Sequence, residues 1–177
     1  MCWAVLAFPD TPPAFRRGLA QIAEDEIRHM NMYRDHIESL GSTIGDFDVR
    51  DWFWERIPNA QSPRAYVAAM GMGLEGGNLD HTARYARAFR EAGDLHASLL
   101  QEKVGEEEIP HVRFALHWFH AFGSAPTFAE WMRHLPDPMS PMTMRGDPPN
   151  VAARERAGFT SDFMKELFEW QPERRGF

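Results

Sequence analysis

Apolar residues recur at steps of three and four through three long stretches of the sequence, while strand-like alternation is almost absent. That period commits the chain to helices. The first stretch runs from about Pro13 to Leu40, with proline at its start and Gly41 at its end, as helix termini prefer. Its apolar face includes Phe15, Leu19, Ile22, Met30, Tyr33 and Ile37. The second begins at Ser62-Pro63 and runs to about Ala92, where Gly93 stops it. The third opens at Asp94, a good N-cap residue, and runs to about Phe122-Gly123. Ahead of all three, Met1 to Phe8 reads as the last turns of a helix. It has no capping residue before it and ends at Pro9-Asp10-Thr11-Pro12-Pro13.

The connections differ in kind. Residues 41–62 form a long link containing a short aromatic helix, Trp52-Phe53-Trp54. Beyond Gly123, one short helix is expected from Thr127 to Leu135, then an irregular Pro- and Met-rich stretch from Pro136 to Asn150. Two small helices follow, near Val151–Arg156 and Ser161–Trp170. The expected architecture is all-α: one domain over residues 1–177, a core bundle over about 1–123, and a C-terminal extension over about 124–177 that wraps it. Three long helices and a stump make a four-helix bundle with a truncated first helix. The link of roughly 22 residues fits the single long crossover of a ferritin-like bundle.

Charge and cysteine content narrow the function classes. A net charge of -7 with scattered Lys and Arg argues against a nucleic-acid partner, which needs a cationic face. The lone Cys2 leaves no intrachain disulfide, as a reducing cytoplasm would have it. The apolar opening MCWAVLAF is too short for a membrane helix and lacks the basic start of a secretory signal. Serine-hydrolase, phosphate-loop and dinucleotide fingerprints are missing, so the expectation is a cytoplasmic protein away from membranes.

The chemistry lies in two Glu-x-x-His pairs, Glu26-Ile27-Arg28-His29 and Glu108-Ile109-Pro110-His111. This spacing sets a carboxylate and an imidazole on one helical face, one turn apart. With 15 Glu and 8 His, chance alone gives about 0.7 such pairs. For either pair alone, a solvated acidic run such as Glu106-Glu107-Glu108 beside an incidental histidine stays open. Position adds more. Glu26, Glu108 and Glu75, the last within Met70-Gly71-Met72-Gly73-Leu74-Glu75-Gly76-Gly77, each fall about 12 to 14 residues into their helices, roughly 20 Å from each start. One layer of the core can therefore hold all of them. Paired carboxylates and imidazoles at this spacing are the donor set of two bridged iron ions, with manganese as the alternative.

The runs FPDTPPAFRRGL, EDEIRHMNMYRDHIESLG, LEGGNLDHTARYARAFREAGD, EEEIPHVRFALHWF and DPPNVAARERAGF resemble a bacterial ferritin-like family of unknown function, domain-of-unknown-function family 455. The resemblance extends from about Phe8 to the last small helices. It implies a ferritin-like fold with a di-metal site at Glu26, His29, Glu75, Glu108 and His111. It also implies a further Glu on the first helix, which nothing in Met1 to Phe8 supplies. The chain thus resembles a member started at an internal Met. Pro110, inside a ligand pair, is expected to bend its helix or force a local bulge.

Three further residues are candidates around the site. Asp25 and Glu107 each precede a ligand histidine by four residues, which suits holding its outer nitrogen or serving as a surface charge. Glu107 also competes with Glu108 as the ligand. Tyr33, one turn beyond His29, suits an oxygen pocket or core packing. The remaining histidines, His81 among them, lack a matching constellation. The functional expectation is an oxidoreductase that activates dioxygen or peroxide on a small-molecule substrate with an electron donor. The alternatives are an iron or manganese store and a metal-free interaction module, for which a homodimer is the natural assembly.

Overall fold

The computed structural model describes residues 1–172, which form helices and loops without a strand. A six-residue helix α1 (Cys2–Ala7) precedes the long α2 (Pro13–Ser39). A short α3 (Trp52–Arg56) lies within the long connection. The next helical run has three parts: α4 (Pro63–Val67), a π-helical segment Ala68–Glu75, and α5 (Gly76–Glu91). Then come α6 (Leu95–Ala121), α7 (Phe128–Met132), α8 (Val151–Ala157) and α9 (Ser161–Glu169). The result is an all-α bundle. No helix among the described residues is long and apolar enough to cross a membrane.

The termini follow from local chemistry. Ser62 Oγ accepts from the Ala65 amide at 3.1 Å, and Asp94 Oδ1 accepts from the Ala97 amide at 2.9 Å, each satisfying a donor the helix start leaves free. Gly41 and Gly93 end α2 and α5 at φ 87° and 86°, where a side chain would be strained.

Helix α6 lies between the other two long helical runs and is antiparallel to both. Against α2, Tyr33 meets Gln101 and Asp25 meets His111; against the α4–α5 run, Arg90 meets Glu102 and Asn78 meets Glu108. The α2 and α4–α5 runs are therefore parallel, which is what the long connection between them permits. Phe15 anchors α2, stacked on Phe114 at 5.6 Å and edge-on to Phe122 at 5.0 Å.

The C-terminal elements cover the outer side of the α4–α5 run and α6. Trp131 of α7 is fully buried, and its indole donates to the Ala68 carbonyl at 2.8 Å, at the start of the π segment where the regular hydrogen-bond ladder changes. Met144 packs where Gly73 and Gly77 leave room. The proline-rich stretch contains one turn of 3-10 helix, Pro141–Met144. Pro110 sits inside an unbroken α6, contrary to the expected bulge. The widened turns lie in the facing helix instead, over Ala68–Glu75, where Gly71 and Gly73 give the backbone freedom that Pro110's neighbours lack.

Candidate metal centre

Helix α2 presents Glu26 and His29 one turn apart, α6 presents Glu108 and His111 in the same way, and the π segment delivers Glu75 as its last residue. One ligand-capable atom from each of Glu26, Glu75, Glu108 and His111 falls within 4.8 Å of the others, a group that could hold a metal ion. His29 stands beside it, with Nδ1 at 3.6 Å from Glu26 Oε1 and its ring 6.1 Å from that of His111. Glu75, Glu108, His29 and His111 are buried, while Glu26 faces a cavity.

Each of these five residues has one buried, unsatisfied atom. Glu26 Oε1, His29 Nδ1, Glu75 Oε1, Glu108 Oε2 and His111 Nδ1 are buried without a hydrogen-bond partner, five of the nine such side-chain atoms among the described residues. A buried polar atom left unpaired costs about 1–3 kcal/mol, so folds rarely gather several in one place. His111 Nδ1 lies 3.4 Å from Glu26 Oε1 and 3.3 Å from Glu108 Oε2, which gives attraction between charges without hydrogen-bond geometry. Cations held by Glu26, Glu75, Glu108 and His111, with His29 beside them, would give such atoms partners.

The outward nitrogens of the two histidines are held crosswise. His29 Nε2 on α2 bonds Glu107 of α6 at 2.8 Å, and His111 Nε2 on α6 bonds Asp25 of α2 at 3.2 Å. The sequence leaves each carboxylate as either a partner of the histidine four residues along its own helix or a surface charge. The structure pairs each with the histidine of the other helix, because the outer nitrogens point across the α2–α6 seam. Glu107 is thus outside and Glu108 inside. Arg28 joins the two outer carboxylates, donating to Asp25 at 2.6 Å and also to Glu107. On the inner side Asn78 donates to Glu108 Oε1 at 3.1 Å, leaving Oε2 turned inward. Sequence reading passed over Arg28 and Asn78. Arg28 lies inside the first Glu-x-x-His pair and Asn78 one turn after Glu75, which is the only signal the sequence offers for either.

The charges reflect this crowding. Burial pushes the Glu75 carboxyl up to about 8, helped by the charge of Glu108. Burial works against the imidazolium of His111, but Glu108, Glu26 and Glu75 outweigh it and raise the pKa to about 11. For Glu26 burial is likewise opposed, by His111 and His29, which bring it down to about 2. The metal-free cluster therefore holds protons where a metal would replace them.

Two cavities flank the cluster. One of about 290 Å³ is lined by Glu26, His29, Tyr33, Asn78, Gln101 and Glu108, among others. Tyr33 takes its place there, half-buried, with its hydroxyl 3.4 Å from Gln101 Oε1. The other, of about 350 Å³, has more apolar walls, including Trp52, Phe53, Met70 and Leu74. His81 lines both, although the sequence gives it no matching carboxylate constellation.

An all-α bundle with a buried carboxylate–imidazole group able to hold a metal defines the class. The chain belongs to the family described as a protein of unknown function, DUF455, whose model matches residues 1–165. An uncharacterized protein of Haemophilus influenzae is 28% identical over 109 residues, which cover 61% of this chain and 38% of that relative. The match thus spans well under half of the relative's length. No solved structure matches.

Proposed function

We propose that the cluster is a carboxylate-bridged two-metal centre in a ferritin-like bundle, and that the protein is an oxidoreductase activating dioxygen or peroxide on a small substrate. The meeting of Glu26, Glu75, Glu108 and His111 within 4.8 Å, with His29 beside them and one orphaned buried atom on each of the five, carries this reading. Hard carboxylate oxygens with neutral imidazoles suit iron, and manganese next. Glu26, one of whose oxygens lies near both imidazoles, would be among the residues that hold the metals. His29 and His111 would each bind through Nδ1, since Nε2 is engaged outside. Glu75 and Glu108 complete the set, with Asn78 fixing the orientation of Glu108. Two ferrous ions held there would supply the electrons for reducing dioxygen or peroxide.

The cavity of about 290 Å³ beside Glu26 and Glu108 favours turnover over storage, because a store needs no such room for an organic molecule. Tyr33, Gln101 and Asn78 in its wall would orient a substrate against the centre, with reducing equivalents coming from an external electron donor.

The test is metal content after anaerobic loading with ferrous iron. About two irons per chain are expected, lost in Glu75→Ala and Glu108→Ala, followed by oxygen uptake when air is admitted. Absence of bound iron and manganese in the unaltered protein would overturn the reading. Stable loading with no oxygen or peroxide consumption would leave a metal binder and overturn the oxidoreductase.

A further inference from the structure

Arg28 is the middle of a closed chain of contacts that ties the two ligand helices together outside the cluster. Its guanidinium donates to Asp25 and to Glu107. Asp25 reaches across the seam to His111 Nε2 at 3.2 Å, and Glu107 reaches back to His29 Nε2 at 2.8 Å. The Nδ1 atoms of both rings then face inward, towards Glu26. Every link runs between named side chains, and the loop closes on a single residue.

We infer that Arg28 is a positioning residue which, by bridging Asp25 and Glu107, fixes the orientation of both His29 and His111. This assignment rests on the metal-centre reading for its consequence but not for its geometry. The physical case has three parts. First, Asp25 and Glu107 are each about a third exposed, at 33% and 29%, so without a partner they would turn to water and release the imidazoles. Second, the two carboxylates and the inner Glu26, Glu75 and Glu108 put five acidic groups around two histidines. A fixed cation between the outer pair offsets repulsion that would otherwise splay α2 from α6. Third, the task needs an arginine. A planar fork with five donors engages two carboxylates at once, whereas a lysine ammonium is a point charge on a flexible stem. Outer partners of this type set the ring orientation and tautomer of metal-binding histidines, and losing them typically weakens metal affinity about 10–100-fold.

An exposed surface ion pair would produce none of these effects, and Arg28 is 43% exposed. The experiment therefore separates the two roles. Arg28→Gln and Arg28→Lys are compared with the unaltered protein, first metal-free, by nitrogen-15 spectra of the histidine rings. Two slowly exchanging Nε2 protons are expected in the unaltered protein and their loss in Arg28→Gln. The thermal midpoint of the metal-free protein should move by only about 2–4 °C, as suits an exposed pair. Cobalt(II) then replaces iron as a spectroscopic probe. Arg28→Gln should weaken its binding about 10–100-fold and alter its visible spectrum, while Arg28→Lys recovers only part of each.

Unchanged ring spectra in Arg28→Gln would overturn the positioning role, whether or not metal binds. Full recovery by Arg28→Lys would overturn the bridging fork and leave only charge. Intact ring effects in a protein that takes up no cobalt or iron would sustain the clamp while removing the metal-centre reading.

Discussion

Arg154 of α8 forms a completely buried ion pair with Asp80 of α5, its Nη2 at 2.7 Å and its Nε at 3.0 Å from the two carboxylate oxygens. The same carboxylate accepts from the Gly146 amide at 2.9 Å and the Asn150 amide at 2.7 Å. One acidic residue thus organises the turn that brings the C-terminal elements back onto α5, five residues beyond Glu75. Breaking such a pair leaves an uncompensated charge in the interior and costs about 3–5 kcal/mol. Asp80→Ala should therefore lower the unfolding free energy by that amount in urea titrations. The double substitution Asp80→Leu with Arg154→Met should recover only part of it: the unpaired charge is gone, but the Gly146 and Asn150 amides lose their acceptor. A loss below about 1 kcal/mol in Asp80→Ala would show that the pair is not holding the extension.

The glycines around Glu75 allow close packing of helices. A Cβ on Gly71 would overlap that of Ala115 on α6, whereas one on Gly76 would meet the Phe159 ring at an ordinary 3.5 Å. Gly71→Ala should cost about 1–3 kcal/mol by overpacking and weaken metal binding by pushing Glu108 away from Glu75. Gly76→Ala should instead stabilise by up to about 1 kcal/mol through helix propensity. Unfolding midpoints of the two variants should move in opposite directions; a shared direction would mean the α6 contact is not limiting.

Local chemistry made much of the fold legible. Ser62 and Asp94 mark helix starts by their own side chains, Gly41 and Gly93 mark ends, and the even depth of Glu26, Glu75 and Glu108 places three carboxylates in one layer. Facts that depend on distant partners stayed hidden. Asp80 and Arg154 are 74 residues apart, and nothing near either one announces the other. The crossed bonds of Asp25 and Glu107 were hidden for a subtler reason. A four-residue spacing to the histidine of the same helix is a valid pairing, and only the meeting of α2 and α6 decides against it. The π segment escaped because a glycine-rich run has too little side-chain pattern to separate one helical period from another.

Glu75 separates the demands of stability from those of the cluster. It is almost fully buried, carries an unpartnered oxygen, and keeps its proton up to about pH 8 where an unfolded carboxyl releases it near 4.5. At neutral pH that retained proton costs folding on the order of 3 kcal/mol. Glu75→Gln has nearly the same shape and cannot ionise. After allowing for its buried amide, it should stabilise the metal-free protein at pH 7 by about 1–3 kcal/mol while abolishing two-metal binding. Calorimetry on metal-free samples, paired with iron analysis, reads both effects. A destabilised Glu75→Gln that still binds two metals would make Glu75 a packing residue.

Stability and metal binding should also respond oppositely to pH. The folded metal-free chain keeps protons on Glu75 to about pH 8 and on His111 to about pH 11, against 4.5 and 6.5 for ordinary groups. Between those limits the folded state binds more protons than the unfolded one, so stability falls as pH rises. Glu26 acts in the other sense: its carboxyl titrates at about 2 against 4.5, so its contribution is present above 4.5 and lost as pH falls through 2. From these three groups, metal-free stability peaks near pH 4.5 and declines through neutrality. A bound metal must displace the protons on Glu75 and His111, so loading at pH 7 should release about two protons per chain, plus a share from His29, where burial works against the imidazolium but Glu26 and Glu107 outweigh it. Titrations in buffers of different ionisation enthalpy measure that number directly. The gap between metal-loaded and metal-free thermal midpoints should widen from pH 6 to pH 8, because metal gains affinity over the range in which the empty site loses stability. A gap that stays constant would mean that metal does not compete with those protons, and hence does not bind at Glu75 and His111.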